Sequence, residues 1–209
     1  MMPLEVVINS YPRTGNTFLI TALNRAYIKN EINWYNYPVV SHTHSKYIQR
    51  LSRENNFYQV SMIRNPLDAV SSYIIYTAAQ SNVDLNIKKD ARDTSIYCLK
   101  VYSEFYKEWL INKKARMIDF ETIKNDINEV IRIIFNDINL EYLNTINNED
   151  IIKEISESDQ KNNSGLLMGH VPRDINSLDE YHIIKELLPQ LTDYDKSFKI
   201  YEEVKDLIK

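Results

Sequence analysis

A cluster of cationic and hydrogen-bonding side chains lies near the amino terminus, in the stretch SYPRTGNTF, residues 10–18. The stretch follows a short apolar run rich in β-branched residues and precedes a segment with helical spacing, so it joins a predicted strand to a predicted helix. The first turn of a helix favours an anion, because its N–H groups are unpaired and its dipole end is positive. Arg13 adds a forked cation, and Gly15 permits close approach of the backbone. The other polar donors of the loop are Thr14, Asn16 and Thr17. The sequence therefore predicts a site for a phosphate-like group.

This loop departs from the glycine-rich phosphate loop of ordinary ATP and GTP sites, G-x-x-x-x-G-K-[ST]. Ser10 stands five positions before Gly15, where that pattern has glycine, and Asn16 stands where it has lysine. An ordinary ATP or GTP site is therefore not expected. For this loop taken alone, the alternative is a proline-containing turn that only caps the helix.

A second cationic position occurs in YQVSMIRNPLDAVSSYIIY, residues 58–76. Arg64 follows a predicted strand directly, and Pro66 and Asp68 indicate the start of a helix. Ser72 lies about one and a half turns into that helix. Arg64 and Ser72 could therefore converge on a second anion. The alternative is that Asp68 only caps the helix and Ser72 is an ordinary small residue.

Two histidines, His42 and His44, lie at the end of another predicted strand, in PVVSHTHSKY. Histidine suits a general base because its ordinary pKa of about 6.5 is close to neutrality. Two residues apart on a strand, the pair shares one face, which is also compatible with a metal site. No third ligand has suitable spacing, so no metal is expected. The remaining alternative for His44 is a buried structural histidine.

Short apolar strands alternate with helical segments along most of the chain. The predicted strands are Leu4–Ile8, Val39–Val40 continuing into SHTH, Phe57–Ile63, and the segment ARMIDF, residues 115–120. The predicted helices cover residues 16–29, 45–54, 66–80, 94–112, 125–135 and the tail from Leu178, with a break at Pro189. This alternation predicts an α/β fold with three layers, in which a mostly parallel central sheet is flanked by helices. The 209 residues suffice for one domain, and a single domain over residues 1–209 is expected.

Between Ser156 and Ser177 the chain is polar and lacks clear periodicity. The segment is long for a structureless connection, which favours a functional loop. It contains two of the chain's three glycines, Gly165 and Gly169.

Composition and charge exclude several classes of protein. The net charge of −4 argues against a general nucleic-acid binder, because such proteins have a broad basic surface. Cys98 is the only cysteine, which excludes an intrachain disulfide and a thiolate metal cluster and fits a reducing compartment. The amino terminus lacks the basic region of a signal peptide, and no apolar stretch approaches the roughly 20 residues that span a bilayer. A cytoplasmic protein without a membrane span is expected.

Three segments resemble one family of enzymes. SYPRTGNTFL resembles the 5′-phosphosulfate-binding loop of sulfotransferases that use 3′-phosphoadenosine 5′-phosphosulfate (PAPS). IRNPLDAVSSY resembles their 3′-phosphate-binding motif, whose arginine and serine are eight positions apart, as Arg64 and Ser72 are. MIDFETIKNDINEVIRIIFNDINL is similar to the family's strand–acidic–helix segment, with Glu121 in the acidic position. The resemblance covers roughly residues 4–140 and implies a fold like that of the P-loop nucleotide hydrolases.

The resemblance also implies PAPS as the sulfuryl donor, 3′,5′-adenosine bisphosphate (PAP) as the product, and no metal. By motif, the residues that bind the 5′-phosphosulfate are Arg13, Thr14, Gly15, Asn16 and Thr17. Arg64 and Ser72 bind the 3′-phosphate, and Phe18 either stacks on adenine or is an ordinary core residue. In the late polar segment, Arg173 or Lys161 contacts the 3′-phosphate or is a solvated surface cation.

Two further roles follow from the resemblance. HTH aligns with a Lys-Thr-His run of the family whose last histidine is catalytic, so His44 is the expected base and His42 replaces the lysine. Arg13 stands where many members have lysine, and it can clamp the departing phosphate in a bidentate manner. The predicted function is transfer of a sulfuryl group from PAPS to a hydroxyl or amine of an unidentified acceptor. The alternatives are a non-catalytic module that binds PAP or PAPS, and a P-loop phosphotransferase.

Overall fold

The computed structural model describes residues 5–32, 38–45, 57–81, 88–161 and 179–208. Within these ranges four strands form one sheet, β1 (Glu5–Asn9), β2 (Val40–Thr43), β3 (Phe57–Ile63) and β4 (Arg116–Asp119). The strand order is β2-β1-β3-β4, and every neighbouring pair is parallel. The carboxyl ends of all four strands therefore meet at one edge of the sheet, where ligands bind in open parallel sheets.

Helices connect and follow the strands. They are α1 (Asn16–Lys29), α2 (Pro66–Ser81), α3 (Lys88–Asn112), α4 (Phe120–Asn125), α5 (Ile127–Asp137), α6 (Asn148–Lys161), α7 (Asp179–Leu187) and α8 (Thr192–Leu207). A 3₁₀ turn, Leu188–Gln190, separates α7 from α8 at the position of Pro189. None of the described helices is both long and apolar enough to cross a bilayer.

The sheet lies between two helical layers because successive side chains of a strand point to opposite faces. Met62 and Ile118 belong to the core cluster on one face, which α1, α5 and α6 complete. Ile63 and Met117 belong to the cluster on the other face, which α2, α3, α7 and α8 complete. The predicted three-layer α/β fold with a parallel central sheet is confirmed.

The element bounds differ from the sequence predictions at a few places. α3 begins at Lys88, six residues before the predicted start. The short helix α4 was not predicted; Asp119 caps it by accepting a hydrogen bond from the Glu121 backbone N–H. The predicted helix over residues 45–54 lies almost entirely outside the described residues.

The structure partly corrects the prediction of a loop over residues 156–177. Residues 156–161, predicted as loop, continue α6, which packs on the core through the buried Ile151 and Ile155 of its first two turns. Glu149 and Asp150 support its first turn, where carboxylates favour the positive end of the dipole. The remainder of the segment, with Arg173, lies outside the described residues.

Candidate active site

The loop between β1 and α1 has two residues in the left-handed region of backbone space. Arg13 has a φ of 64° and Gly15 a φ of 98°. A Cβ on Gly15 would lie 3.0 Å from the ring of Phe120, so only glycine satisfies both the backbone shape and the packing. The Thr14 hydroxyl donates to the Tyr11 carbonyl oxygen at 2.6 Å, which closes the turn. This geometry places the loop directly before the amino end of α1.

Arg13 extends from this loop to the face of α2. Its Nε donates to the Ser72 hydroxyl at 3.3 Å. Its guanidinium carbon lies 5.0 Å from the centre of the Tyr76 ring, within the range of a cation–π contact. Ser72 and Tyr76 are one helical turn apart, so both present their side chains on the same side of α2.

Arg64, at the end of β3, contacts the same loop from the other side. Its Nη1 donates to the Arg13 carbonyl oxygen at 3.0 Å. Its guanidinium carbon lies 4.6 Å from the centre of the Phe120 ring. Burial lowers the pKa of Arg64, but a guanidinium remains protonated in proteins. A mostly buried positive charge therefore lies against the anion-type loop.

The contacts of Ser72 in the structure involve Arg13 and not Arg64. Arg64 and Ser72 were expected to act together on one anion. In the structure the hydroxyl of Ser72 is bonded by Arg13, and Arg64 is bonded to the Arg13 backbone. The structure thus brings Arg13, Arg64 and Ser72 into one connected group.

His44 lies just past the end of β2, across from the same loop. Its Nδ1 lies 2.7 Å from the Ser10 carbonyl oxygen, which can only accept a hydrogen bond, so this contact favours the tautomer with the proton on Nδ1. This tautomer leaves a lone pair on Nε2, as a general base requires. His44 is exposed as a residue, so it is not the buried structural histidine that the sequence left open. Partial burial of its ring lowers its pKa, the bond to Ser10 opposes that change, and the nearby His42 lowers the pKa further. His42 is exposed, and its ring centre lies 5.9 Å from that of His44.

The other predicted residues of the loop have individual surroundings. Asn16 is 7% exposed, and its Nδ2 lies 3.3 Å from His44 Nδ1. The Thr17 carbonyl oxygen accepts a hydrogen bond from the Thr21 hydroxyl at 3.0 Å. Phe18 is partly buried and packs against the core cluster on the α1 face of the sheet. Arg173 lies outside the described residues.

Three residues of the site were missed by the sequence analysis. Phe120 is in contact range of both Gly15 and Arg64, and Tyr76 lies against Arg13. The Tyr102 hydroxyl donates to the Arg64 carbonyl oxygen at 2.7 Å and ties the end of β3 to α3. Tyr76 could have been found from its position one turn after Ser72. Phe120 and Tyr102 have no comparable local signal.

Within the described ranges, no group of three or more His, Cys, Asp and Glu side chains has a geometry suited to a metal ion. Two buried amide oxygens at this edge, Asn9 Oδ1 and Asn16 Oδ1, have no hydrogen-bond partner among the described residues. Unsatisfied polar atoms in the interior are uncommon and costly. Both oxygens are therefore open to a hydrogen-bond donor that the described residues do not supply.

The chain matches no known family model, and no curated protein matches its sequence. Solved structures do resemble it. A sulfotransferase from Alicyclobacillus acidocaldarius is 13% identical with a TM-score of 0.51, and the match covers 77% of this chain and 93% of that protein. The mouse sulfotransferase SULT7A1, solved in complex with PAP, is 15% identical with a TM-score of 0.53, over 96% of this chain and 88% of that protein. At these identities the likeness shows a shared fold.

Proposed function

We propose that this protein is a sulfotransferase, which moves the sulfuryl group of PAPS to a hydroxyl or amine of an acceptor and releases PAP. One observation carries the proposal: the loop that contains Arg13 is contacted by both Arg64 and His44, at the ligand-binding edge of the sheet. Two of the solved proteins with this fold are sulfotransferases, and one of them holds PAP. The three sequence motifs supply the same assignment independently.

Binding of the donor depends on charge. PAPS has a 5′-phosphosulfate and a separate 3′-phosphate, so a site for it needs more than one cation. Thr14 to Thr17 offer backbone N–H groups at the start of α1, and Arg13 adds a positive charge to the same loop. Arg64 and Ser72 lie beyond the loop, bonded to the backbone and the side chain of Arg13 respectively. We assign Ser72 and both arginines to the 3′-phosphate end of the donor, with Arg13 reaching the 5′ end as well.

The transfer step needs one base and one group that stabilises negative charge. The acceptor oxygen attacks sulfur, the bond between sulfur and the bridging oxygen breaks, and its electron pair leaves with the phosphate of PAP. The acceptor proton passes to Nε2 of His44, whose Nδ1–H is held by the Ser10 carbonyl oxygen. Arg13 stabilises the charge that develops on the departing phosphate.

A P-loop phosphotransferase is the weaker candidate. Such an enzyme holds the nucleotide with a loop lysine and holds Mg²⁺ with a carboxylate at the end of a strand near the loop. Here the lysine position is Asn16, and Arg64 directly follows β3, one of the two neighbours of β1. Positive charge at that point favours a phosphate-rich ligand and opposes a divalent cation.

Thermal unfolding with nucleotides tests the binding part of the proposal. A ligand that binds only the folded protein, present at 100 times its Kd, adds about 2.7 kcal/mol of stability. PAP should raise the melting temperature by several degrees, and ATP with Mg²⁺ at equal concentration should have a much smaller effect. An equal or larger effect of ATP contradicts the donor assignment.

Replacement of His44 tests the catalytic part. His44→Ala should lower kcat for sulfuryl transfer by about 10²- to 10⁴-fold, because a positioned general base contributes that much. The Kd of PAP should stay nearly constant, since the imidazole acts on the acceptor. His182→Ala, which removes an exposed histidine of α7, is the matched control. Undiminished transfer by His44→Ala excludes the base assignment, and tight PAP binding with no transfer to any acceptor favours a non-catalytic module.

A further inference from the structure

The contacts of His44 Nδ1 contain a conflict. Nδ1 lies 2.7 Å from the Ser10 carbonyl oxygen and 3.3 Å from Asn16 Nδ2. The carbonyl oxygen only accepts a hydrogen bond, and an amide nitrogen only donates one. A protonated Nδ1 satisfies Ser10 and opposes the amide N–H groups, and an unprotonated Nδ1 does the reverse. One nitrogen cannot satisfy both partners as they stand.

Rotation of the Asn16 side-chain amide removes the conflict. The oxygen and nitrogen of a carboxamide have nearly the same size and shape, so exchanging them leaves the packing unchanged. After the exchange, one Nδ1–H is shared between two acceptors, the Ser10 carbonyl oxygen and the Asn16 side-chain oxygen. The amide nitrogen then takes the position where Asn16 Oδ1 has no partner within the part of the chain that the structure describes. Because Asn16 is 7% exposed, that nitrogen keeps two unmet donors inside the protein.

We infer that Asn16 is a positioning residue that joins the base to the anion site: its side-chain oxygen holds the Nδ1–H of His44, and its NH₂ group donates to an anion at the start of α1. The second half of this inference rests on the proposed function and deepens it, because Asn16 was expected to contact only the donor. Asn16 is the first residue of α1, and its N-cap, Gly15, has no side chain to meet the free N–H groups of the first turn. A donor directed at this point adds to the attraction that the helix end exerts on an anion.

The electrostatic surroundings make His44 a sensitive probe of this contact. Among the described residues, the titratable group that acts on it is His42, from its own strand. From the loop after β1, the groups in contact with its ring are the Ser10 carbonyl and Asn16, neither of which titrates. A charge introduced at position 16 therefore acts on His44 without an existing carboxylate to mask it.

Nuclear magnetic resonance of the unliganded protein tests whether the side-chain oxygen of Asn16 holds the Nδ1–H of His44. The ¹⁵N shifts of neutral His44 should report the Nδ1–H tautomer. Asn16→Asp should raise the His44 pKa by at least about one pH unit, a tenfold gain in proton affinity, because a carboxylate accepting from Nδ1–H stabilises the imidazolium. Asn24→Asp makes the same change at an exposed position of the same helix and should leave that pKa unchanged. An Nε2–H tautomer in the unmodified protein, or equal pKa values for the two variants, overturns the inference.

Nucleotide binding and turnover test whether the NH₂ group of Asn16 donates to an anion at the start of α1. Asn16→Asp should weaken PAP binding at least tenfold and shift the acid limb of the pH–kcat profile to higher pH. A residue that only contacted the nucleotide would change the Kd of PAP and leave the His44 titration in place. If the unmodified protein binds no PAP, the proposed function and the anion contact both fail. The tautomer and pKa measurements then still decide whether Asn16 positions His44.

Discussion

Arginines at the two edges of the sheet have different hydrogen-bond partners. At the amino edge, Arg116 forms two hydrogen bonds to one carboxylate, Nε to Asp137 Oδ2 at 2.7 Å and Nη2 to Asp137 Oδ1 at 2.8 Å. The Tyr58 hydroxyl donates to the same carboxylate. At the carboxyl edge, Arg64 is bonded to a backbone carbonyl oxygen and lies over the Phe120 ring. Among the described residues, Arg64 forms no ion pair.

This difference in partners indicates that Arg116 is a structural cation, whereas Arg64 keeps a charge that is available to a ligand. The charge of Arg116 is neutralised by its neighbour, and the same contact holds the pKa of Asp137 below its ordinary value. Carbonyl oxygens and aromatic rings orient a guanidinium but leave its net charge in place. Asp68 and Glu121 act on Arg64 only from a distance. Burial of a charge without a direct ion pair costs stability, which an anionic ligand would recover. This difference supports the proposal that the carboxyl edge binds an anion.

The largest difference in activity is expected between replacement of Arg13 at the carboxyl edge and replacement of Arg116 at the amino edge. Arg13→Ala should lower kcat/KM for PAPS by about 10²- to 10³-fold, as expected for loss of one preorganised charge at a transition state. Arg116→Ala should change kcat/KM by less than threefold, because its charge is already paired. Steady-state sulfuryl transfer with both purified variants measures the contrast, and equal losses at the two positions would remove the distinction.

Replacement of Arg64 should have a smaller effect than replacement of Arg13, and it should change only the affinity for PAP. Arg64→Ala should raise the Kd of PAP by about 10- to 100-fold, which corresponds to one charge-assisted hydrogen bond of about 1.5–3 kcal/mol. Isothermal titration gives the Kd directly, and thermal unfolding of the free variant monitors its stability. Arg64→Lys should restore part of the affinity through its charge. A variant pair with unchanged PAP affinity would show that the buried charge serves the fold alone.

Asp137 should show the smallest effect, and only on stability. Asp137→Asn should lower the free energy of unfolding by about 0.5–1 kcal/mol, because its partner Arg116 is about half exposed and solvent screens the pair. The pKa of Asp137 is lower in the folded protein than its ordinary value of about 3.9, so its contribution is present above that value. The contribution is lost as the pH falls through the folded-state pKa.

Urea unfolding near pH 7 and near pH 3 measures this dependence. The difference between Asp137→Asn and the unmodified protein should shrink on acidification. PAP affinity should be the same for both proteins, since Asp137 lies at the opposite edge of the sheet. A stability difference that grows in acid would contradict the direction of the Asp137 pKa.

Local patterns were enough to predict the sheet, and they indicated the edge at which the candidate site lies. The aromatic and β-branched residues of the segment 57–63 indicated a strand whose bounds match the structure. The loops after three strands indicated cations and a histidine at one edge, because parallel strands end on the same side. Each of these signals depends on residues within a few positions of one another.

The partners of the side chains were decided only by tertiary structure. Arg13 and Ser72 are 59 positions apart, and His44 and Ser10 are 34 apart, so no local pattern relates them. Phe120 reaches Gly15 because β3 and β4 are neighbours in the sheet and α4 begins where β4 ends. Composition and periodicity determine which elements form and which edge collects the charges. The distances that select a tautomer, bury a guanidinium or join one arginine to a serine depend on how those elements pack.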